Sequence, residues 1–250
     1  MKSTILLTGS NRGIGLALTR QLLMRGHRVI ATCRDLDAAT DLQALASLGG
    51  GALDIQPLEI TSESSVAAMA RHVESKYSSV DVLINNAAIF IDRDNNSIGN
   101  LDFGQLAITV ETNLVGLIRV TKALWPLLCK GTNPRVINIS SGAGLISTKR
   151  NSKYYAYSIS KAAVNMFTRL LETEGRERSI CVVAVTPGRV QTRIGDKDAP
   201  QTAEETARSL AVMVEGLKLS DTGGILDRNG KPCFDGRFTD ATGRLCRVGW

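Results

Sequence analysis

The chain has 250 residues, 43% hydrophobic and 22% charged, a composition that fits a soluble globular protein with one large α/β domain or two small ones. No apolar run approaches the ~18 residues a membrane span needs, and Ile5-Leu6-Leu7, soon broken by glycine, is too brief for a signal peptide. Thirty Lys plus Arg against 24 Asp plus Glu give a net charge of +6, which points to an anionic partner: nucleic acid, a membrane surface or a phosphorylated small molecule.

In chain order, strands are predicted at Thr4–Thr8, Arg28–Cys33, Ile55–Leu58, Val80–Ile84, Val136–Ser140 and Cys181–Val185. Most are unbroken apolar runs, as expected of strands covered by helices on both faces. Helical periodicity runs through Ile14–Met24, Asp41–Leu48, Ser64–Tyr77, Ala107–Leu128, Tyr157–Arg176 and Ala203–Leu217, the last opened by a capping box, Thr202-Ala-Glu-Glu205. Trp125-Pro126 marks a bend in the fourth of these. A short strand is expected near Ile225, then an irregular tail over 228–250. The alternation predicts a single α/β domain over 1–250, its core about 3–227, with a doubly wound parallel sheet of about seven strands.

Few residue types remain for chemistry. The two histidines, His27 and His72, lie far apart, which argues against a metal centre and against a Ser-His-Asp triad; both are expected on helix ends or faces at the surface. Five cysteines, an odd number without CxxC spacing, read as reduced thiols of a cytoplasmic protein. Cys129 and Cys181 are expected to be packing residues. The basic residues are scattered rather than clustered on one element, so nucleic acid is a poor partner.

The first strand ends in Thr8-Gly-Ser-Asn-Arg-Gly-Ile-Gly15, and a helix follows at once. Glycines at 9, 13 and 15 let the backbone approach a pyrophosphate, and the helix N-terminus offers it unpaired N–H groups. Gly9, Asn11, Arg12, Gly13, Ile14 and Gly15 are therefore the candidate dinucleotide cradle. The spacing is GxxxGxG rather than GxGxxG, and its position between strand and helix strengthens it. At the tip of the second strand, where a carboxylate would select NAD, stand Cys33 and Arg34. Arg34 and Arg12 suit a 2′-phosphate, hence NADP over NAD; a competing reading pairs Arg34 with Asp35 or Asp37.

Tyr157 and Lys161 are four residues apart at the start of a helix, on one face. A phenol titrates near ~10 unless a cation stabilises its anion, so this spacing suits a general acid/base. Tyr154 and Tyr155 have no such partner, since Ser158 and Ile159 stand four residues on.

With these features the chain resembles the short-chain dehydrogenase/reductase family over residues 3 to 227. The glycine turn, Asn85-Asn86-Ala87-Ala88, Asn113, Ser141, the Tyr157/Lys161 pair and Pro187-Gly188 occur in family order. The resemblance implies a Rossmann fold and an NADP-dependent oxidoreductase acting on a carbonyl or alcohol. It makes Tyr157 the general acid/base, with Lys161 lowering its pKa and holding the nicotinamide ribose. Ser141, rather than its neighbour Ser140, would bind the substrate carbonyl, and Asn113 would order a water in a proton relay. It further implies that Asn85, Ala87, Pro187, Gly188 and Thr192 line the cofactor, that Glu59 takes the place of an Asp at the adenine, and that Ile60 adds a backbone contact. Ala88 replaces a usual glycine.

The loop Gly142 through Ala156, the run from Tyr154 to Ala163, Thr186-Pro-Gly-Arg-Val-Gln-Thr192 and Thr222-Gly-Gly look like the C-factor and sniffer-like carbonyl reductases. A homodimer or homotetramer through helices near 107–128 and 157–176 is implied by the same likeness. A non-catalytic dinucleotide-binding signalling or redox-sensing protein of the same fold is the alternative. The short segment from Arg189 to Pro200 reads as a lid over an open site; Arg189 and Arg193 would favour an anionic group, reach the cofactor phosphates or stay solvated.

Overall fold

The computed structural model describes residues 2–48, 51–94, 97–149, 151–233, 237–239 and 245–247. Its elements are β1 (Thr4–Thr8), α1 (Gly13–Met24), β2 (Arg28–Cys33), α2 (Thr40–Leu48), β3 (Leu53–Pro57), α3 (Glu63–Lys76), β4 (Val82–Asn85), α4 (Phe103–Val110) and, through a π-helical turn at Glu111–Gly116, α5 (Leu117–Leu128). There follow β5 (Arg135–Ile139), α6 (Tyr155–Glu177), β6 (Cys181–Thr186), β7 (Val190–Gln191), β8 (Gln201–Thr202), α7 (Ala203–Gly216) and β9 (Ile225–Asp227). Beyond them lie β10 (Arg237–Thr239) and β11 (Leu245–Arg247), an antiparallel pair where an irregular tail was expected.

Seven strands form one parallel sheet in the order β3-β2-β1-β4-β5-β6-β9. Alternation along each strand divides the core in two. Ile5, Leu7, Val29, Ala31, Val82, Ile84, Ile137, Val183 and Val185 face α1, α2 and α7. Leu6, Ile30, Leu83, Val136 and Val182 face α3 and α5. The chain winds outward from β1 to β3, then returns to place β4 on the other side of β1. That reversal opens a crevice at the carboxyl ends of β1 and β4, where open α/β sheets bind ligands.

Local signals fix the helix ends. Thr202 and Glu205 make the reciprocal capping box at α7, and Ser62 accepts from the Ser65 N–H at α3. Pro126 is accommodated inside α5, which continues to Leu128.

Two further expectations fail. His27 is 4% exposed, because its Nδ1 accepts from Ser3 N–H while Nε2 lies 3.0 Å from Glu215. Cys129 is exposed, since it follows the last residue of α5 where the apolar stripe has ended.

Away from the crevice, Asp54 is 9% exposed and receives Tyr77 Oη at 2.8 Å, Lys76 Nζ at 3.0 Å, Gln56 Nε2 at 2.6 Å and His72 at 3.1 Å. Burial opposes its charge, yet these donors prevail and hold the pKa at about 2. A carboxyl depressed on folding stabilises the fold above its unfolded pKa, and that contribution is lost as pH falls through the folded one. Asp54→Asn is therefore expected to lower unfolding free energy at pH 7 by about 2 kcal/mol, a deficit that shrinks between about pH 4 and 2. Urea titrations at several pH values measure it; a deficit independent of pH would refute the assignment.

Candidate active site

The crevice is a cleft of about 590 Å³ running from the glycine turn to the first turns of α6. At its floor, Thr8 Oγ1 accepts the N–H groups of Asn86 and Ala87, and Asn86 Nδ2 donates to the carbonyls of Thr8 and Gly9. These bonds lock the ends of β1 and β4 together. Gly9 has φ +69°, and a Cβ there would come within 2.9 Å of Ala87 Cα; one at Gly15 would collide with Gly9 O. The absent methyls leave a bare backbone cradle at the N-terminus of α1, a fit for a pyrophosphate.

Gly9, Asn11, Arg12, Gly13, Ile14 and Gly15 all line the cleft. So do Arg34, Glu59, Ile60, Ala87, Tyr157, Lys161, Pro187, Gly188 and Thr192. Asn85 does not. It falls on the strand parity that faces α5 and α6, and its Nδ2 donates to Thr121 Oγ1 and Asn138 Oδ1, both at 2.9 Å. Asn86, the next residue, takes the wall position.

At the outer end Arg34 lies 3.6 Å from Glu59, not on Asp35, whose Oδ1 accepts the N–H groups of Asp37 and Ala38. Both members of the Arg34–Glu59 pair are exposed enough that it is worth about 0–1 kcal/mol, which a phosphate can displace. Arg12 faces cations. Burial lowers its pKa first, and the charges of Arg193 and Arg34 lower it further. Arg193, from the segment between β6 and α7, thus joins Arg12 and Arg34 at this end, one of the places the sequence left open to it.

At the inner end Lys161 is 2% exposed, and its Nζ donates to Ile139 O at 2.7 Å. Burial brings its pKa down to about 8. The ammonium lies 5.7 Å from the centroid of the Tyr157 ring. Burial raises the Tyr157 pKa; a hydrogen bond with Ser141 and the charge of Arg93 oppose that rise, and Asp92 adds to it.

The adjacent serines part by strand alternation. Ser140 is 2% exposed, its Oγ donating to Asn165 Oδ1 at 2.6 Å, whereas Ser141 faces the phenol. Asn113 sits in the π-helical turn, 1% exposed, its carboxamide paired with both the N–H and the C=O of Ile89 and donating to Ser160. A misplaced asparagine in a long helical pattern was the sequence signal for that turn.

The segment after β4 supplies what the sequence reading missed. Phe90 stacks on Tyr157, centroids 4.4 Å apart at 26°, and meets Tyr154 edge-on at 4.9 Å. Asp92 is 2% exposed and caps α6 from outside, its Oδ2 accepting the N–H groups of Ala156 and Tyr157. Nothing in a single apolar-polar pattern announces such a cap, because it is 64 residues from its helix. Among the described residues, no three His, Cys, Asp or Glu side chains gather as metal ligands, and no helix is long and apolar enough to cross a membrane.

A parallel sheet reversed at β1, a glycine cradle at the reversal and a Ser-Tyr-Lys cluster beside it define an oxidoreductase scaffold. The model of the short chain dehydrogenases matches residues 3–203, and the chain belongs to the short-chain dehydrogenase/reductase family. Among solved structures it is similar to the carbonyl reductase Sniffer of D. melanogaster, with TM-score 0.88 and 28% identity over 93% of this chain and 99% of that one. It is likewise similar to an NADPH-bound carbonyl reductase from chicken fatty liver, with TM-score 0.84 and 34% identity over 92% of this chain and 98% of that one. The C-signal protein of Myxococcus xanthus is 35% identical over 151 residues, 60% of this chain and 90% of its own length. The likeness to sniffer-like and C-factor proteins drawn from the sequence agrees with these relatives.

Proposed function

We propose that the chain is a cytoplasmic NADP-dependent carbonyl reductase that converts a ketone or aldehyde to its alcohol and works as a homodimer or homotetramer. The observation that carries this reading is the Tyr157 phenol, next to Ser141 and one helical turn before the buried Lys161, at the inner end of a cleft whose outer end holds Arg12, Arg34 and Arg193. The cradle from Gly9 to Gly15 would hold the pyrophosphate and Arg12 and Arg34 the 2′-phosphate, with Lys161 on the nicotinamide ribose. When bound, the nicotinamide supplies the hydride that reaches the carbonyl carbon. Ser141 holds the carbonyl oxygen and Tyr157 delivers its proton there, giving the alcohol. Lys161 faces the resulting phenolate, and Asn113, fixed to Ile89, belongs to the path that returns the proton.

The raised Tyr157 pKa fits this direction, since the phenol stays protonated at neutral pH. Free Cys33, Cys129, Cys181 and Cys233 support a reducing compartment. Exposed Phe103 and Ile108 on α4, with Met166 and Leu170 on α6, support self-association. A panel of carbonyl compounds followed by loss of NADPH absorbance tests the activity. The C-signal relative favours a second reading, a dinucleotide-binding signalling protein. NADPH binding without turnover of any carbonyl would favour that reading over ours.

A further inference from the structure

The four residues from Phe90 to Arg93 touch three parts of the site at once. Phe90 lies against the Tyr157 ring at 4.4 Å. Asp92 Oδ2 holds the first turn of α6 by the peptide N–H of Ala156 at 2.8 Å and of Tyr157 itself at 3.3 Å, while its buried Oδ1 has no partner among the described residues. Arg93 places its guanidinium carbon 4.9 Å from the Phe90 centroid and reaches across the cleft, Nη1 donating to Gly195 O at 2.9 Å and Nη2 to Arg193 O at 3.1 Å.

The far partner is the segment between β6 and α7. Its Thr192 packs onto Gly13 of the cradle, where an added Cβ would meet the threonine methyl at 3.3 Å. Arg193 is close enough to Arg12 to depress its pKa. Thus one segment covers the phosphate end of the cleft, and its backbone carbonyls are held by a side chain whose neighbours hold the tyrosine. Two parallel N–H groups on two carbonyls two residues apart suit the planar guanidinium fork and not an ammonium.

We propose that Phe90, Asp92 and Arg93 form a clasp in which Arg93 keeps the 192–195 segment closed over the cofactor cleft and Asp92 and Phe90 convey that closure to Tyr157. All three are positioning residues. The clasp rests on Tyr157 being the proton donor only for its effect on rate; the closure itself does not depend on that reading.

Charge gives the clasp a signature that packing alone would not. Tyr157 is faced by Lys161 from its own helix, Ser141 from the end of β5 and Asp92 and Arg93 from the segment after β4, with Lys149 beyond Tyr154. Removing the Arg93 charge takes away a stabiliser of the phenolate, and removing the Asp92 charge takes away an opponent.

The test uses the full chain with NADPH and the variants Arg93→Ala, Arg93→Lys and Asp92→Asn. Trypsin has sites at Arg189, Arg193 and Lys197, and mass spectrometry of the first cuts reports closure without any turnover. Arg93→Ala is expected to speed cleavage at these sites at least about fivefold and Arg93→Lys nearly as much, with Asp92→Asn close to wild type because the amide oxygen still caps α6. Carbonyl reduction is expected to fall about tenfold in Arg93→Ala. Its pH profile moves to higher pH in Arg93→Ala and to lower pH in Asp92→Asn. Unchanged cleavage in Arg93→Ala refutes the closure, and pH profiles of both variants superimposed on wild type refute the link to Tyr157. If Tyr157→Phe kept full turnover, the catalytic reading would fall while the proteolysis still judged the clasp.

Discussion

Tyr157→Phe is expected to lower kcat/KM for carbonyl reduction at least about a hundredfold while leaving NADPH affinity and thermal stability near wild type. The substitution deletes one oxygen. The ring and its stack on Phe90 remain, as do the N–H bond to Asp92 and the helix that carries both. What disappears is the phenol proton next to Ser141, the proposed carbonyl-binding serine.

Wild-type reduction should fall as pH rises through the Tyr157 pKa, which burial holds above its ordinary value. Lys161 passes from charged to neutral around pH 8 in the chain without a ligand, so binding of the ribose should weaken above that pH. Steady-state rates with calorimetric binding separate the two effects. Turnover retained in the Phe variant would mean that another group protonates the product.

The second large effect concerns which dinucleotide binds. Arg34→Ala should weaken NADPH binding by about ten- to a hundredfold, the worth of a charge-assisted phosphate contact, and leave NADH within about twofold. The reasoning is electrostatic. Arg34 faces Glu59 across 3.6 Å of largely exposed surface, while Arg12 is flanked by Arg34 and Arg193. Three cations against the carboxylates of Glu59 and Asp35 leave an excess that a 2′-phosphate satisfies and a 2′-hydroxyl does not. Removing Arg34 also frees Glu59, which then repels a phosphate more than before. Thermal-shift titrations of wild type and variant with both cofactors decide it. Equal stabilisation of the wild type by NADPH and NADH would overturn the assignment from Arg12 and Arg34.

Much of this was legible because the relevant forces are local. β1 and β2 begin and end at the predicted residues, since a buried parallel strand is an unbroken apolar run that glycine or a charge ends. The strands β3, β4 and β5 shift by one or two residues, as strand ends do where pairing rather than composition sets the limit. The glycine cradle, Arg34 and the Tyr157/Lys161 face were likewise visible as spacing.

The failures share a cause. Asn85 was assigned to the cleft by its place in a motif, and strand parity turns its side chain into the core toward Thr121 and Asn138. Phe90, Asp92 and Arg93 follow a strand in a stretch with no period, and their partners lie 64 to 102 residues away. Only the tertiary fold makes those pairs neighbours. Lys161, expected to lower the pKa of the phenol and to hold the nicotinamide ribose, lies 5.7 Å from the Tyr157 ring centroid and also gives its Nζ to Ile139 O, a partner the sequence did not name. A single residue spacing cannot tell which acceptor an ammonium will choose.

The π-helical turn at Glu111–Gly116 has a consequence for the surface as well as for Asn113. Relative to an unbroken α-helix, the stretch from Phe103 to Leu128 carries one residue in excess, and each residue of an α-helix turns the chain by about 100°. α4 and α5 are therefore out of phase about a shared axis. On α5 Leu117, Val120, Leu124 and Leu128 are buried, while on α4 only Thr109 is, with Phe103 and Ile108 facing outward. The residue that makes room for the Asn113 carboxamide thus also rotates the first half of the helix, setting which of its apolar side chains the molecule presents to its surroundings.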